Sequence, residues 1–228
     1  GPVVTFGAID NAGLDWVHVV NGSAGNGGGV FFDGSAAGCT LSATYVMGNT
    51  AQRNGGGVYC ASGATPTLYG CIIIGNDLQP ETREFGGGIC CNQADAKFYK
   101  CFIGANDGRF GGGVGCIKSS PELVNCTISA NTATIAEGGA GAGALFAHDK
   151  SSPVLTNCLL TGNYAHDWNA GTLYCQGQSH PVLTNCTIAG NNSNAGRSGG
   201  ILANTGSSPK LVNCILAGLS GTAIIAVS

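Results

Sequence analysis

Apolar and polar residues alternate over short stretches along the whole chain, and the alternation restarts at a regular interval. The segment from Ser179 to Asn191 shows the pattern most clearly, as P-x-L-x-N-C-x-I-x-G-N. The same pattern returns from Pro121, Pro153 and Pro209, and a glycine-rich segment ending in an aliphatic residue precedes the copies. Successive copies lie about 28 residues apart, a period typical of solenoids, propellers and other arrays.

The two-residue alternation within one unit predicts three short strands. Leu173 to Cys175 form a first strand, and a second strand contains Val182 to Thr184. The alternation slips by one residue between Asn185 and Cys186, so the chain must bend there and begin a third strand. A leucine-rich horseshoe has a similar period, but it needs a helical segment in each repeat, and the residues between these strands are turn formers. The pattern therefore predicts an all-β fold, a parallel β-helix of about eight coils with three short strands per coil.

Stacking of coils would place equivalent residues in columns along the axis. One inward column after the bend is rich in cysteine: Cys71, Cys101, Cys126, Cys158, Cys186 and Cys214. We interpret it as small apolar packing, with disulfides between neighbouring coils and metal binding as alternatives. An asparagine column lies at the bend (Asn125, Asn157, Asn185, Asn213), and another closes the third strand from Asn49 to Asn191. Stacked amides would satisfy turn backbone, and we expect the sequons at Asn125 and Asn185 to be buried and unmodified.

The motifs G-G-G-[VI]-x-C and L-x-N-C-x-I-x-G-N resemble those of the right-handed parallel β-helix repeat proteins, the pectate-lyase-like superfold. They are most similar to the repeats of bacterial surface and exported proteins, including the polymorphic outer-membrane protein type. The resemblance extends from about Val4 to Ala217. It implies a right-handed, single-stranded β-helix, and it is compatible with polysaccharide lyases, hydrolases and epimerases as well as with adhesins and passenger domains.

Composition narrows the range of partners and locations. The formal charge of −3 and the 9% of charged residues leave no basic stripe for nucleic acid. No apolar run in these residues is long enough for a membrane-spanning helix, and none follows a charged segment in the manner of a signal peptide. We expect residues 1–228 to be one domain cut from a longer secreted or cell-surface protein, with Gly1-Pro2 resembling a protease-cleavage scar.

Charged residues concentrate in the variable segments that return from the third strand to the next first strand. The candidate ligand-binding residues on this side are Trp168, His166, Asp167, Asp107, Arg109 and Tyr174. Trp168 offers a flat platform beside titratable groups, as sugar rings require. The outward aromatic residues of the first strands would either stack on sugars or pack under the return loops, and we favour loop packing.

We expect a non-enzymatic structural or adhesive solenoid that binds a polysaccharide or other glycan on the return-loop side, without cofactor, metal site or catalytic residue. An alternative is a polysaccharide-active enzyme, a lyase or glycoside hydrolase, with its site on the same side. Another alternative is a filament subunit that stacks end to end. An outward apolar patch on the third strands would serve self-association or contact with the rest of a longer chain, through Tyr45, Met47, Ile72, Ile74, Phe102, Leu159 and Ile215.

Overall fold

The computed structural model describes residues 1–7, 10–79, 85–134, 141–166, 170–194 and 198–226. In these ranges the regular structure consists of short strands, without a helix, and each named strand pairs in parallel with its equivalents in adjacent coils. The registers give the repeat directly, since Val30 pairs with Val58 and Leu173 pairs with Ile201, 28 residues later in both cases. The predicted all-β parallel solenoid is confirmed.

The strands, numbered along the chain, form four sheets that run the length of the stack. The first sheet contains β1 (Val4–Phe6), β5 (Val30–Phe32), β9 (Val58–Cys60), β13 (Ile89–Asn92), β17 (Val114–Ile117), β21 (Leu145–His148), β25 (Leu173–Gln176), β29 (Ile201–Ala203) and β32 (Ile224–Ala226). The second contains β2 (Gly13–Asp15), β6 (Ala37–Ser42), β10 (Thr65–Tyr69), β14 (Lys97–Tyr99), β18 (Glu122–Val124), β22 (Val154–Thr156), β26 (Val182–Thr184) and β30 (Lys210–Val212).

The third and fourth sheets complete each coil. The third contains β3 (His18–Val20), β7 (Tyr45–Met47), β11 (Ile72–Ile74), β15 (Phe102–Gly104), β19 (Thr127–Ser129), β23 (Leu159–Thr161), β27 (Thr187–Ala189) and β31 (Ile215–Ala217). The fourth contains β4 (Ser23–Ala24), β8 (Thr50–Ala51), β12 (Asp77–Leu78), β16 (Asp107–Gly108), β20 (Thr132–Ala133), β24 (Tyr164–Ala165) and β28 (Asn192–Ser193). Each full coil therefore has four strands rather than the predicted three, and β1 to β28 make seven complete coils.

The inward cysteine column fills the core next to the bend. All twelve cysteines are free thiols, and all except the half-buried Cys214 are buried. The column thiols share one orientation: Cys126 Sγ lies 3.3 Å from the carbonyl oxygen of Phe98 in the preceding coil and 3.5 Å from that of Val124. Thr44 holds the same place in an earlier coil, where its hydroxyl donates to the Ser42 carbonyl at 2.8 Å. These cysteines are small packing residues that also act as weak hydrogen-bond donors.

A buried amide ladder runs beside the fourth sheet. It consists of Asn49, Asn76, Asn106, Asn131, Asn163 and Asn191, all of them buried. At a typical step, the Asn131 Oδ1 accepts from the Asn106 backbone N–H at 3.1 Å and from the Asn106 Nδ2 at 2.9 Å. The Asn131 Nδ2 also donates to the Ile103 carbonyl at 2.9 Å. The predicted asparagine ladder is present, and it satisfies backbone groups that turn away from the sheets.

The glycine runs bring two parts of each coil into contact. Gly111 is left-handed, with φ of +82°. At Gly112 a Cβ would lie 2.2 Å from the Thr132 carbonyl oxygen of the fourth sheet, and at Gly113 it would lie 3.0 Å from the amide nitrogen of Asn131. A side chain at any of these three positions would therefore be unfavourable. The glycine runs form return turns and also let the backbone approach the fourth sheet closely.

The bend between the second and third sheets is a column of left-handed residues. Its members are Trp16, Ala43, Gly70, Lys100, Asn125, Asn157, Asn185 and Asn213, with φ between +44° and +61°. The asparagines are exposed and their side chains bond along the column, as where the Asn213 Nδ2 donates to the Asn185 Oδ1 at 2.7 Å. The expectation that the sequon residues Asn125 and Asn185 are buried is therefore wrong, because a left-handed residue at a corner points its side chain outward.

Candidate binding face

A four-residue motif follows the third strand in most coils and forms the fourth sheet. It consists of a ladder asparagine, a polar or aromatic residue, a residue that points inward, and a second polar residue. The copies are N-T-A-Q from 49, N-D-L-Q from 76, N-D-G-R from 106, N-T-A-T from 131, N-Y-A-H from 163 and N-N-S-N from 191. The second and fourth residues of each motif point outward, because the buried third residue lies between them.

These outward residues make two parallel columns on one side of the solenoid, which we call the return face. The first column is Thr50, Asp77, Asp107, Thr132, Tyr164 and Asn192, paired strand to strand. The second is Gln52, Gln79, Arg109, Thr134, His166 and Asn194. Backbone bonds fix this second column, as where the Thr134 N–H donates to Gly108 and the His166 N–H donates to Ala133. Across six coils the face carries hydrogen-bonding groups in almost every position, over roughly 24 Å at the usual strand spacing.

Two carboxyl groups lie next to each other on the return face. Asp77 and Asp107 are register partners in adjacent coils. Partial burial raises the pKa of Asp107, although a hydrogen bond that the Thr134 hydroxyl shares between the two carboxylate oxygens, at 2.6 and 2.8 Å, and the nearby His166 act in the opposite direction. The pKa of Asp77 is also raised, first by partial burial and then by the charge of Asp107. Each carboxyl therefore holds its proton more tightly than a free aspartic acid does.

The raised pKa of Asp77 predicts the pH dependence of an Asp77→Asn variant. A carboxyl whose folded-state pKa is raised stabilises the fold when it is protonated, and this contribution is lost as pH rises through the folded-state pKa. We expect Asp77→Asn to gain about 0.5 kcal/mol of unfolding free energy at pH 7, because it removes a partly desolvated charge and then the repulsion of that charge by Asp107, both on a partly exposed surface. The gain should vanish near pH 3, and urea unfolding at both pH values measures it.

Asp33→Asn is the matched control for this measurement. Hydrogen bonds from the side chain and backbone of Ser35 lower the pKa of Asp33. Its contribution to stability is present at neutral pH and is lost as the carboxyl is protonated, so this variant should lose stability at pH 7. A gain from both variants, or a gain from Asp77→Asn that persists at pH 3, would contradict the assigned cause.

The structure brings three of the sequence-predicted site residues together. Asp107, Arg109 and His166 are half-buried on the return face, and the Arg109 guanidinium lies over the Phe110 ring at 5.4 Å. The His166 ring meets the Tyr164 ring edge to face at 4.8 Å. Asp167 and Trp168 lie outside the described residues.

Tyr174 belongs to a different environment, on the outside of the first sheet. It is 3% exposed and packs in a cluster with Phe146, Leu202 and the loop residues Phe85 and Phe110. Among the described residues, these aromatic side chains therefore pack on one another and on Phe85 and Phe110, and the buried Tyr174 offers no open platform for a sugar ring.

The Tyr174 hydroxyl starts a short hydrogen-bonded chain at the rim of the first sheet. It donates to the Gln176 Oε1 at 2.7 Å, and the Gln176 amide nitrogen lies 3.2 Å from the Nδ1 of His148. The His148 ring stacks on Phe85, and burial lowers its pKa. The hydrogen bonds fix the orientation of the His148 imidazole, which lies on another sheet from the return face.

Within the described ranges, no group of three or more His, Cys, Asp or Glu side chains is arranged to hold a metal ion. Over the same residues, no helix has the length and hydropathy needed to cross a membrane.

Comparison with known families supports the observed architecture. A family model described as a right-handed beta helix region matches residues 18–150 and 140–228. The two matches together extend over most of the chain, and they confirm the resemblance that the repeated motifs indicated. No curated protein and no solved structure matches this chain.

Proposed function

Because the chain belongs to the right-handed β-helix family, in which stacked coils make long and rigid faces, we propose that it is a structural or adhesive solenoid that binds a glycan along its return face. It works outside the cell or at its surface, where such glycans are displayed. Binding occurs without cleavage, and the protein holds its ligand rather than converting it.

The observation that carries this proposal is the pair of polar columns on the return face. Carboxyl, amide, hydroxyl, guanidinium and imidazole groups alternate there on a fixed spacing of about 4.8 Å. Sugar hydroxyls both donate and accept, and such a mixed set can bond to several of them at once. Asp107, with its raised pKa, is partly desolvated, which strengthens a hydrogen bond to it. A rigid backbone means that little ordering is needed when a chain binds.

A second candidate function is a polysaccharide-active enzyme, and the Asp77 and Asp107 pair favours it. Glycoside hydrolases use two carboxyl groups of different protonation state, placed on either side of the bond to be broken. Here the two carboxyls lie side by side on one sheet surface, and both have a raised pKa. That arrangement suits a ligand lying across them better than a bond held between an acid and a base, so we rank binding first.

Native affinity electrophoresis tests the proposal. The chain is run through gels that contain galactomannan, xyloglucan, alginate or polygalacturonate, alone and as Asp107→Asn with His166→Ala. We expect retardation by at least one polysaccharide, and a dissociation constant about fivefold or more higher in the double variant, since each lost hydrogen bond is worth about 1 kcal/mol. Asp33→Asn, a carboxyl outside the return face, should bind as the wild type does.

Three results would overturn the proposal. Unchanged retardation in the double variant would remove the return face as the site. Shortened polysaccharide after incubation would show the enzyme alternative. Absence of retardation in every gel, together with light scattering that shows growing end-to-end assemblies, would favour a filament subunit.

A further inference from the structure

The residue types of the bend column differ between the first four coils and the later coils. In the later coils it is asparagine, which tolerates the left-handed conformation. In the first four it reads Trp16, Ala43, Gly70 and Lys100, so two small residues lie between a large ring and a long cation. A Cβ added at Gly70 would find no atom within 4 Å, so the surface is open at this point.

The rows on either side of the small residues carry aromatic rings. On the second-sheet side Tyr69 is 48% exposed, and on the third-sheet side Tyr45 is 40% exposed. The His18 ring contacts the Tyr45 ring in a tilted arrangement, with ring centroids 4.8 Å apart and an interplanar angle of 46°. Ala43 and Gly70 therefore form the floor of a shallow trough with aromatic sides, which we call the bend trough. From Trp16 to Lys100 it spans three coil steps, about 14 Å.

Tryptophan is an unfavourable residue for the left-handed bend position that Trp16 occupies. Its φ is +56° and it is 80% exposed. A bulky residue in this left-handed conformation is strained, whereas asparagine or glycine adopts it with little strain. A ligand that stacks on the indole ring would account for a strained and exposed tryptophan at this position.

Polar groups at the ends of the trough define the ligand chemistry. The Lys100 Nζ donates to the Tyr69 hydroxyl at 2.8 Å and lies 5.3 Å from the centre of that ring. At the other end the Ser42 hydroxyl donates to the Asp15 carboxylate at 2.7 Å. One cation and one carboxylate give the trough no net charge. Flat rings beside hydrogen-bonding groups match the face and the hydroxyl edge of a sugar ring.

We infer that the bend trough is a second binding site, for a short stretch of a neutral oligosaccharide. A sugar ring lies over Ala43 and Gly70, against Trp16 and Tyr69, and its hydroxyls bond to Lys100 and Asp15. The site does not depend on the return face, which lies on the fourth sheet. A lipid surface or a second copy would have to cover the charged side chains of Lys100 and Asp15 at the two ends of the trough.

Tryptophan emission tests the inference with the full chain. The protein is titrated with cello-, manno- and malto-oligosaccharides, and we expect a blue shift from at least one of them as the Trp16 ring is covered. Trp16→Asn and Gly70→Asn introduce the residue that later coils carry in the same conformation, so both variants should fold. The shift should disappear in Trp16→Asn, and Gly70→Asn should raise the dissociation constant about tenfold by filling the floor.

Two control variants distinguish binding at the bend trough from binding at the return face. Asn157→Gly makes the reverse change three coils beyond Gly70 and should leave the shift unchanged, as should Asp107→Asn. An absent shift with every neutral oligosaccharide would overturn the inference, as would a shift that persists in both trough variants. Binding to phosphatidylcholine vesicles, or dimerisation that depends on Trp16, would also overturn it by assigning another occupant.

Discussion

Gly112→Ala is expected to destabilise the solenoid by about 3 kcal/mol or more, although it adds a single methyl group. The new Cβ would lie 2.2 Å from the Thr132 carbonyl oxygen and 2.8 Å from that of Gly143. Both are backbone atoms, one in the fourth sheet and one in the glycine-rich segment of the next coil, so no side chain can move aside. Urea unfolding followed by far-ultraviolet circular dichroism measures the loss.

Gly70→Asn is the control for this prediction because it also replaces a glycine in the stack. Nothing lies within 4 Å of a Cβ at Gly70, and the conformation is the one that Asn125 adopts. We expect its free energy of unfolding to match that of the wild type within about 0.5 kcal/mol. Equal effects of the two substitutions would mean that the close approach of the glycine run to the fourth sheet does not determine stability.

Asn131→Ala is the second substitution with a large expected effect. It removes the acceptor of the Asn106 N–H and Nδ2 and the donor to the Ile103 carbonyl, all of them buried. An unsatisfied buried group costs about 1–3 kcal/mol, and we expect a total loss of about 3–5 kcal/mol. The urea midpoint should fall, with both circular dichroism and tyrosine fluorescence reporting the change.

Asn157→Gly tests whether the loss is specific to the buried ladder. Asn157 belongs to the exposed bend column, where glycine adopts the same left-handed backbone without strain. We expect a change of less than about 1 kcal/mol. If Asn131→Ala cost no more than this, the amide ladder would be incidental to the fold.

The repeat itself could be predicted from sequence because each coil repeats its inward residues. The cysteine column and the asparagines from Asn49 to Asn191 fall at one position in each copy, and the structure stacks them as expected. A serine ladder was missed: the Ser119 N–H donates to the Ser151 hydroxyl, and the Ser151 N–H donates to the Ser179 hydroxyl. These serines are recognisable only once the coils are aligned, since serine is common in turns.

The fourth strand could not be predicted because two residues are too few to show alternation. Asp107 and Gly108 form a strand only through pairing with neighbouring coils. Polar tetrapeptides such as N-D-G-R also have the composition of turns. The outward direction of the bend asparagines could not be predicted for a related reason, since one left-handed residue breaks the two-residue alternation of sides.

Part of the candidate site was accessible from sequence and part was not. Asp107, Arg109 and His166 can be recognised in the sequence as polar residues of the return segments. The columns that they form cannot, because the number of residues between equivalent positions changes from coil to coil. Asp77 and its partner Asp107 are 30 residues apart, whereas Asp107 and its partner Thr132 are 25 apart. Only the observed register places the two carboxyls side by side. Trp16 gave no signal in the sequence, because its exposure and its left-handed backbone are properties of the folded coil.

Binding without cleavage is the central claim, and one experiment on the wild-type chain tests it most directly. The protein is run in affinity gels with the polysaccharide panel, and each polysaccharide is then assayed for new reducing ends and for length by size-exclusion chromatography. We predict retardation in at least one gel with no new reducing ends and no shortening. Shortened chains, or absence of retardation in all gels, would contradict the claim.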